Sequence, residues 1–377
     1  MTVWFVGGED ISLRVPLLIA LRERGFDVGA VGSESGEAIR REGIPYWRYP
    51  LKRGPNPIAD AASSRHLSHL LRSHGPDVVH AFDTKPTYLV PVAGKRAGIR
   101  GRVCTITGMG YLFSSQSVFA RSLRPVYRHL QRRACHASSV TIFQNEDDRR
   151  YFRKLGMVPP GRDRLVRGSG VDIDRLVGSL PVGSTLASLR QDLNPDGRPV
   201  VIMISRLMAH KGIREYMQAA AGIRKRGLDA VFLLAGPAAK EARGGIAVEE
   251  ILANGAGVRY LGPRTDIPAL LSLADVCVLP TYYREGVPRV LLEAGAMGLP
   301  LIATDMPGCR DIVRDGWNGL LVRPRDASGL AAGLARLLAS REERVEMGRR
   351  GRRHVREHFS LSHVADAYAE VYRGIDA

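Results

Sequence analysis

The sequence predicts an α/β protein built from two doubly wound parallel sheets. Three observations carry that expectation. Short apolar runs alternate with longer helical patterns along the whole chain. Nearly all the runs are continuously apolar instead of alternating with polar residues, as in parallel strands buried on both faces. The length, 377 residues, exceeds what one core organises; at about 100–200 residues per domain, two are expected.

In chain order, the strands expected in the first half are Thr2–Gly7, Asp27–Val31, Asp77–Phe82, Arg102–Thr107, Val140–Asn145 and Leu165–Gly170. Those in the second half are Val200–Ser205, Val231–Gly236, Val258–Gly262, Val276–Pro280, Leu301–Thr304 and Gly319–Val322. Helices between successive strands imply right-handed βαβ units. Residues 176–199, with Gly178, Gly183, Asn194-Pro195-Asp196-Gly197 and Pro199, read as a linker and approach. The expected organisation is a Rossmann-like domain over 1–175, a second over 176–355, and a C-terminal helix over 356–377 returning to the first. Ligands of open parallel sheets bind beyond the carboxyl ends of the strands, so the residues after each strand are the candidates for function.

Composition narrows the partners. Hydrophobic residues are 45% and charged residues 25%, which excludes a disordered chain. The net charge of +17 calls for an anionic partner: nucleic acid, acidic lipid or phosphorylated small molecules. Residues 1–190 carry +13 of it and residues 191–377 only +4. Cys104, Cys135, Cys277 and Cys309 are widely spaced, which fits neither a disulfide framework nor a zinc site and suits a reducing cytosol. The N-terminus has no signal-peptide pattern. No stretch approaches the ~18 apolar residues of a membrane span.

Two motifs in the second half carry chemistry. Arg206 and Lys211 follow the strand ending at Ser205, with a helix expected to start near Lys211. Two cations oppose the helix dipole there, and a bound anion removes the conflict. The alternative is two solvated surface cations. The second motif, Tyr282-Tyr283-Arg284-Glu285-Gly286-Val287-Pro288, runs on to Glu293. Pro288 suits a first helical turn. Glu285 then lies before the helix and Glu293 inside it, on the order of 10 Å apart at the α-helical rise. That is wide for an acid/base pair and suits the two ends of one extended ligand. Gly286 allows the ligand close to the backbone.

These segments, with Ala235-Gly236, Gly262, Gly298-Leu299-Pro300 and Gly316-Trp317-Asn318-Gly319, resemble the retaining GT-B glycosyltransferases of family 4. The resemblance covers nearly the whole chain. It implies that Arg206 and Lys211 bind the donor diphosphate, that Glu285 contacts hydroxyls of the transferred sugar, and that Glu293 accepts hydrogen bonds from the ribose. Gly286 and Val287 join the donor site on the same basis; Gly8 joins it too, at a place where the family's backbone approaches donor or acceptor, the alternative being a plain tight turn. The resemblance implies no metal; Asp172-Ile173-Asp174 falls where the family has the structural end of its first domain. Glu146-Asp147-Asp148 after Asn145 reads as a helix cap with acids in its first turn.

On the acceptor side, Thr105–Phe113 with Gly108 and Gly110 resembles bacterial members that extend saccharides on polyprenyl diphosphate, including N-acetylhexosamine transferases. Thr107 stands where many relatives have His. His80 also lies at a strand end; a lone His there is more often structural than catalytic. Arg121, Arg124, Arg128 and Arg132 form one helical stripe, with Phe119, Leu123, Val126, Tyr127, Leu130 and Ala134 as an apolar face. The bland reading is a packed helix with a solvated basic side. The functional one is a helix facing the acceptor diphosphate or anionic lipid, where each basic residue adds ~1 kcal/mol.

The resulting expectation is a cytoplasmic transferase, peripheral on the inner membrane. It moves a hexosyl group, N-acetylhexosaminyl by resemblance, from a UDP-sugar to a polyprenyl-diphosphate-linked saccharide with retention. The UDP-sugar is a co-substrate and no cofactor is expected. Competing readings are a transferase with a soluble acceptor, a GT-B-like sugar-nucleotide epimerase, and a nucleic-acid-binding protein. The last lacks any recognition motif and any interleaving of aromatics with the basic residues.

Overall fold

The computed structural model describes residues 1–52, 54–181, 183–194, 196–239, 244–253 and 257–376. They form two compact units. The first comprises Met1–Gly170, Arg284–Val287 and Leu361–Ala377; the second comprises Val171–Tyr283 and Pro288–Ser360.

The first unit holds seven parallel strands: β1 (Thr2–Val6), β2 (Asp27–Gly32), β3 (Tyr46–Arg48), β4 (Val78–Ala81), β5 (Gly101–Ile106), β6 (Val140–Phe143) and β7 (Asp163–Leu165). Their spatial order is β3-β2-β1-β4-β5-β6-β7. The second holds six: β8 (Val200–Ile204), β9 (Val231–Ala235), β10 (Val258–Tyr260), β11 (Val276–Leu279), β12 (Leu301–Thr304) and β13 (Gly319–Val322), ordered β10-β9-β8-β11-β12-β13. Both are doubly wound. The order reverses between β1 and β4 in one sheet and between β8 and β11 in the other, so each unit has one topological switch point.

The continuous apolar runs have the expected cause. Along β1, Val3 and Phe5 enter one core with Leu18, Leu21 and Phe26, while Trp4 and Val6 enter another with Leu67, Leu71 and Val90. A strand with both faces covered has no polar side. The structure departs from the sequence reading in three places. β3 was not expected: it is a three-residue edge strand, Tyr-Trp-Arg, too short to show a pattern. β7 pairs through Asp163–Leu165, upstream of the expected Leu165–Gly170, because Gly168 and Gly170 take positive φ and leave the extended region. The 176–199 segment is largely helical, with helices Ile173–Gly178 and Ser184–Leu193; Pro195 lies outside the described residues. Asp172 caps the first of these, accepting from the Arg175 amide at 3.0 Å, so Asp172 and Asp174 belong to a helix start.

The helix Leu361–Asp376 packs in the first unit. Val364, Ala365, Tyr368, Ala369 and Tyr372 join the core that holds Val3 and Phe5. Its anchor is polar. His80 on β4 is fully buried; Nδ1 lies 2.5 Å from the Tyr372 hydroxyl and Nε2 2.6 Å from Thr105 Oγ1. Burial, with a smaller push from Arg14, lowers the His80 pKa well below its ordinary value. His80 therefore belongs to the core, and both ring nitrogens are engaged.

A histidine kept neutral contributes stability that is complete above the unfolded-state pKa of about 6.5 and lost as pH falls below it, at up to ~1.4 kcal/mol per pH unit. Thermal melts at pH 7.5 and 5.5 check this. The wild-type midpoint should fall more on acidification than that of His80→Gln; equal losses would show that this histidine does not set the acid limit.

Candidate functional site

In the second unit, the loops at the carboxyl ends of β8 and β11 meet beside the switch point. After β8 the chain passes Ser205 and the exposed Arg206, makes a 3-10 turn at Ala209–Lys211, and enters the helix Ile213–Lys225 through Gly212. Lys211 thus stands one residue before the cap and not inside the helix. The loop is tied to the end of β11: the Tyr282 amide donates to the His210 carbonyl at 2.9 Å, and Thr281 Oγ1 donates to the same carbonyl at 3.1 Å. The His210 ring stacks on Tyr283 at 4.4 Å, and Lys211 Nζ lies 5.9 Å from the centre of that ring. Two positive-φ glycines permit the close fit. A Cβ on Gly212 would lie 2.1 Å from the Pro280 carbonyl oxygen, and one on Gly236 would lie 1.9 Å from that of Ser205.

Pro288 is the cap of the helix Arg289–Ala296. Glu293 projects from its second turn and accepts from Arg289 Nε at 2.7 Å. Its charge adds to burial in pushing the Cys277 thiol on β11 up to about 12. Arg206, Lys211 and Glu293 therefore stand on the unit's strand ends and adjoining helix. Glu285, Gly286 and Val287 form the segment that packs with the first unit.

There the segment is gripped by two pieces of chain that the sequence had singled out separately. One is Thr105–Phe113: Gly108 forms an antiparallel bridge with Glu285, and the Gly110 amide donates to the Arg284 carbonyl at 3.0 Å. The other is Gln144–Asp148, the start of the helix Glu146–Lys154, where Asn145 caps the Asp148 amide at 2.8 Å as expected. Gly286 meets other parts of the first unit at close range. A Cβ there would lie 2.2 Å from Gln144 Oε1 and 2.7 Å from the Thr107 carbonyl oxygen.

At the β1–β4 switch point, Gly8 donates its amide to Asp83 Oδ2 at 3.0 Å. Asp83 has φ 68° and ψ 162°, a region essentially reserved for glycine, and holding it there costs ~1–3 kcal/mol. Its carboxylate also lies 3.8 Å from Arg14. A cavity of about 260 Å³ opens here, lined by Gly8, Asp10, Lys52, Asp83 and Lys85 among others. Lys85 is paired with Asp60. Only seven of the chain's 55 basic residues are lysine, and this cavity holds two of them. The sequence reading passed over Asp83; its one signal was position, directly after a strand and before a helix.

The basic stripe divides. On the helix Val118–Ala137, Arg124 donates to the carbonyls of Leu112 (2.7 Å) and Ser115 (2.8 Å), and Arg128 to the Tyr151 hydroxyl at 2.8 Å. Arg121 and Arg132 are exposed. So are Val118, Phe119 and Val126, at 82%, 51% and 54%. Two of the six expected apolar-face residues, Phe119 and Val126, thus face outward on the same helix as the exposed arginines.

The Gly212 geometry has a measurable consequence. Gly212→Ala must move either the Lys211 turn or the end of β11, and should lower stability by ~1–3 kcal/mol in chemical denaturation. An unchanged unfolding midpoint would contradict the close packing described.

Comparison with known proteins agrees with this architecture. Residues 187–354 match the family of glycosyl transferases group 1, and residues 16–168 match the glycosyl transferase 4-like domain. A GDP-mannose-dependent alpha-(1-6)-phosphatidylinositol monomannoside mannosyltransferase of Mycobacterium tuberculosis is 32% identical, over 90% of this chain and 86% of its own. The N,N'-diacetylbacillosaminyl-diphospho-undecaprenol alpha-1,3-N-acetylgalactosaminyltransferase of Campylobacter jejuni is 26% identical over 97% of this chain and 96% of its own. Among solved structures, Anabaena HepE in complex with UDP-glucose superposes with a TM-score of 0.80 over 99% of this chain and 100% of its own, at 21% identity. The fold is GT-B, and the chain belongs to the group 1 glycosyltransferases.

Proposed function

We propose that this glycosyltransferase moves a hexosyl group, N-acetylhexosaminyl in the reading we favour, from a UDP-sugar to a saccharide carried on polyprenyl diphosphate, with retention at the anomeric carbon. The observation that carries the donor half is the pair Arg206 and Lys211 on the loop beside the β8–β11 switch point, where a parallel sheet receives its ligand. Two cations there stabilise the charge that builds on the departing diphosphate. The Campylobacter relative is named for a diphospho-undecaprenol acceptor, and the HepE complex holds UDP-glucose; both support the reading.

In this scheme the bond from the anomeric carbon to the UDP oxygen breaks as the acceptor oxygen bonds to the same face. The acceptor proton passes to the leaving phosphate. Glu285 holds hydroxyls of the transferred sugar, and Glu293 the ribose. We assign Gly8 and the cavity beside Asp83 to polar groups of the substrates. No metal is required by this scheme, and activity should survive chelation.

The acceptor half rests on the helix Val118–Ala137. Val118, Phe119 and Val126 are exposed on the same helix as the exposed Arg121, Arg132 and Arg133, which suits an anionic membrane surface, where apolar insertion and charge act together. Among the described residues no helix is long and apolar enough to cross a membrane. We place the enzyme peripherally, on the cytoplasmic face.

Transfer assays with a panel of UDP-sugars and polyprenyl-diphosphate-linked acceptors test the scheme. Arg206→Ala or Lys211→Ala should lower kcat by roughly 10²–10³-fold. Glu285→Ala should abolish transfer while UDP titration stays nearly unchanged; near-normal turnover would sink its assignment. Separately, Phe119→Ser with Val126→Ser should release the protein from anionic vesicles in a flotation assay without altering UDP binding. Undiminished flotation would remove this helix from the membrane.

A further inference from the structure

The segment Arg284–Val287 is held mainly through its backbone and through the residue before Glu285. The Arg284 amide donates to Ser114 Oγ at 2.7 Å, and the Arg284 carbonyl accepts from the Gly110 amide at 3.0 Å. Asn145 Nδ2 reaches the carbonyls of Glu285 at 3.5 Å and Gly286 at 3.4 Å, the long end of the hydrogen-bond range. The strongest tie is ionic. Arg284 Nε lies 2.8 Å from Asp148 Oδ1, and the Asp148 side chain is fully buried. The other Asp148 oxygen accepts from Asn145 Nδ2 at 3.1 Å, and the Arg284 guanidinium lies 5.4 Å from the Tyr151 ring centre.

Stability alone gives little reason for this pair. Desolvation of the fully buried Asp148 offsets much of what the pair gains, while Arg284 stays partly exposed. Burial pushes the Asp148 carboxyl up, and Arg284 opposes that shift. What a hydrogen-bonded pair with one buried member does supply is geometry. Planar guanidinium and carboxylate groups, with an amide and a ring on their free sides, allow few arrangements. Here they fix the residue next to Glu285. The neighbouring contacts leave little slack: a Cβ on Gly108 would lie 2.5 Å from the Gly286 nitrogen and 2.6 Å from the Glu285 carbonyl carbon.

We propose that Asp148 and Arg284 are positioning residues for Glu285: the pair, anchored on the buried Asp148, fixes the backbone that aims the Glu285 carboxylate, and so governs turnover and not nucleotide affinity. This rests on the role proposed above for Glu285. It couples two motifs far apart in sequence, Asn145–Asp148 and Arg284–Gly286, into one device.

The test uses Asp148→Asn, Arg284→Lys and Arg284→Met in the full chain, with the Asp148→Asn/Arg284→Met double variant. A misplacement near 1 Å costs roughly 10²-fold in rate, so kcat for transfer should fall by about 10–100-fold in each single variant. The Kd for UDP should stay within about threefold. The double variant should be no slower than the worse single one, since both act through the same contact. Arg284→Lys keeps the charge and should recover part of the loss; it also covers the case in which Asp148→Asn folds poorly. Amide hydrogen exchange supplies a readout independent of catalysis: residues 284–287 should lose protection in the variants while β5 keeps its own. Normal kcat in Asp148→Asn, independent multiplicative losses, or unchanged exchange at 284–287 would each overturn the proposal. If the wild type transfers no sugar, the assignment of Glu285 falls, and the exchange result still decides whether the pair holds the segment.

Discussion

Everything functional in this molecule depends on the burial of parallel strands on both faces. A parallel sheet must be covered on each side by its crossover helices, and every crossover then returns the chain to the same end. All strand carboxyl ends therefore lie along one edge in each unit. Where the winding reverses, at β1–β4 and β8–β11, adjacent crossovers diverge and leave a crevice. Arg206, Lys211, Gly8 and Asp83 all stand at such places. The chain's chemistry lies in loops, but the sheets decide which loops become neighbours.

The positive charge has two distinct uses. Arg124, Arg128 and Arg284 hold protein groups: backbone carbonyls, the Tyr151 hydroxyl and a buried carboxylate. Arginine suits this because its fork binds several acceptors at once in a fixed plane. Arg121, Arg132 and Arg206 are exposed and remain open to an anionic partner. The net charge of the N-terminal half thus overstates the surface offered to a membrane or a diphosphate. Of the few lysines, Lys52 and Lys85 line the β1–β4 cavity, Lys85 paired there with Asp60, and Lys211 stands beside β8.

Much of the fold was legible beforehand. Runs such as Val200–Ile204 and Leu301–Thr304 are unbroken because both faces are covered, and their bounds were nearly right. β3 was invisible because three edge residues carry no periodicity, and β7 was displaced because glycines end a strand that hydropathy would extend. The helical stripe of arginines was real as spacing. Spacing does not say which members find a carbonyl or a tyrosine, and Arg124 and Arg128 did. Gly286 was noticed for its missing side chain, and the structure adds that atoms of Gln144 and Thr107 approach it closely.

By itself, the sequence determined the fold class, the strand-end placement of Arg206 and Lys211, and the family resemblance carried by the Glu285–Glu293 segment. Those follow from local properties: apolar periodicity, turn chemistry and the order of residues after each strand. Only the tertiary structure decided that Asp148 pairs with Arg284, that Asp83 sits strained beside Gly8, and that His80 is locked between Tyr372 and Thr105. Each joins residues 75 or more positions apart, or, for Thr105, neighbouring strands of one sheet. Such contacts exist only once chain folding has brought separate strand ends together, and no local pattern encodes which distant partner will be there.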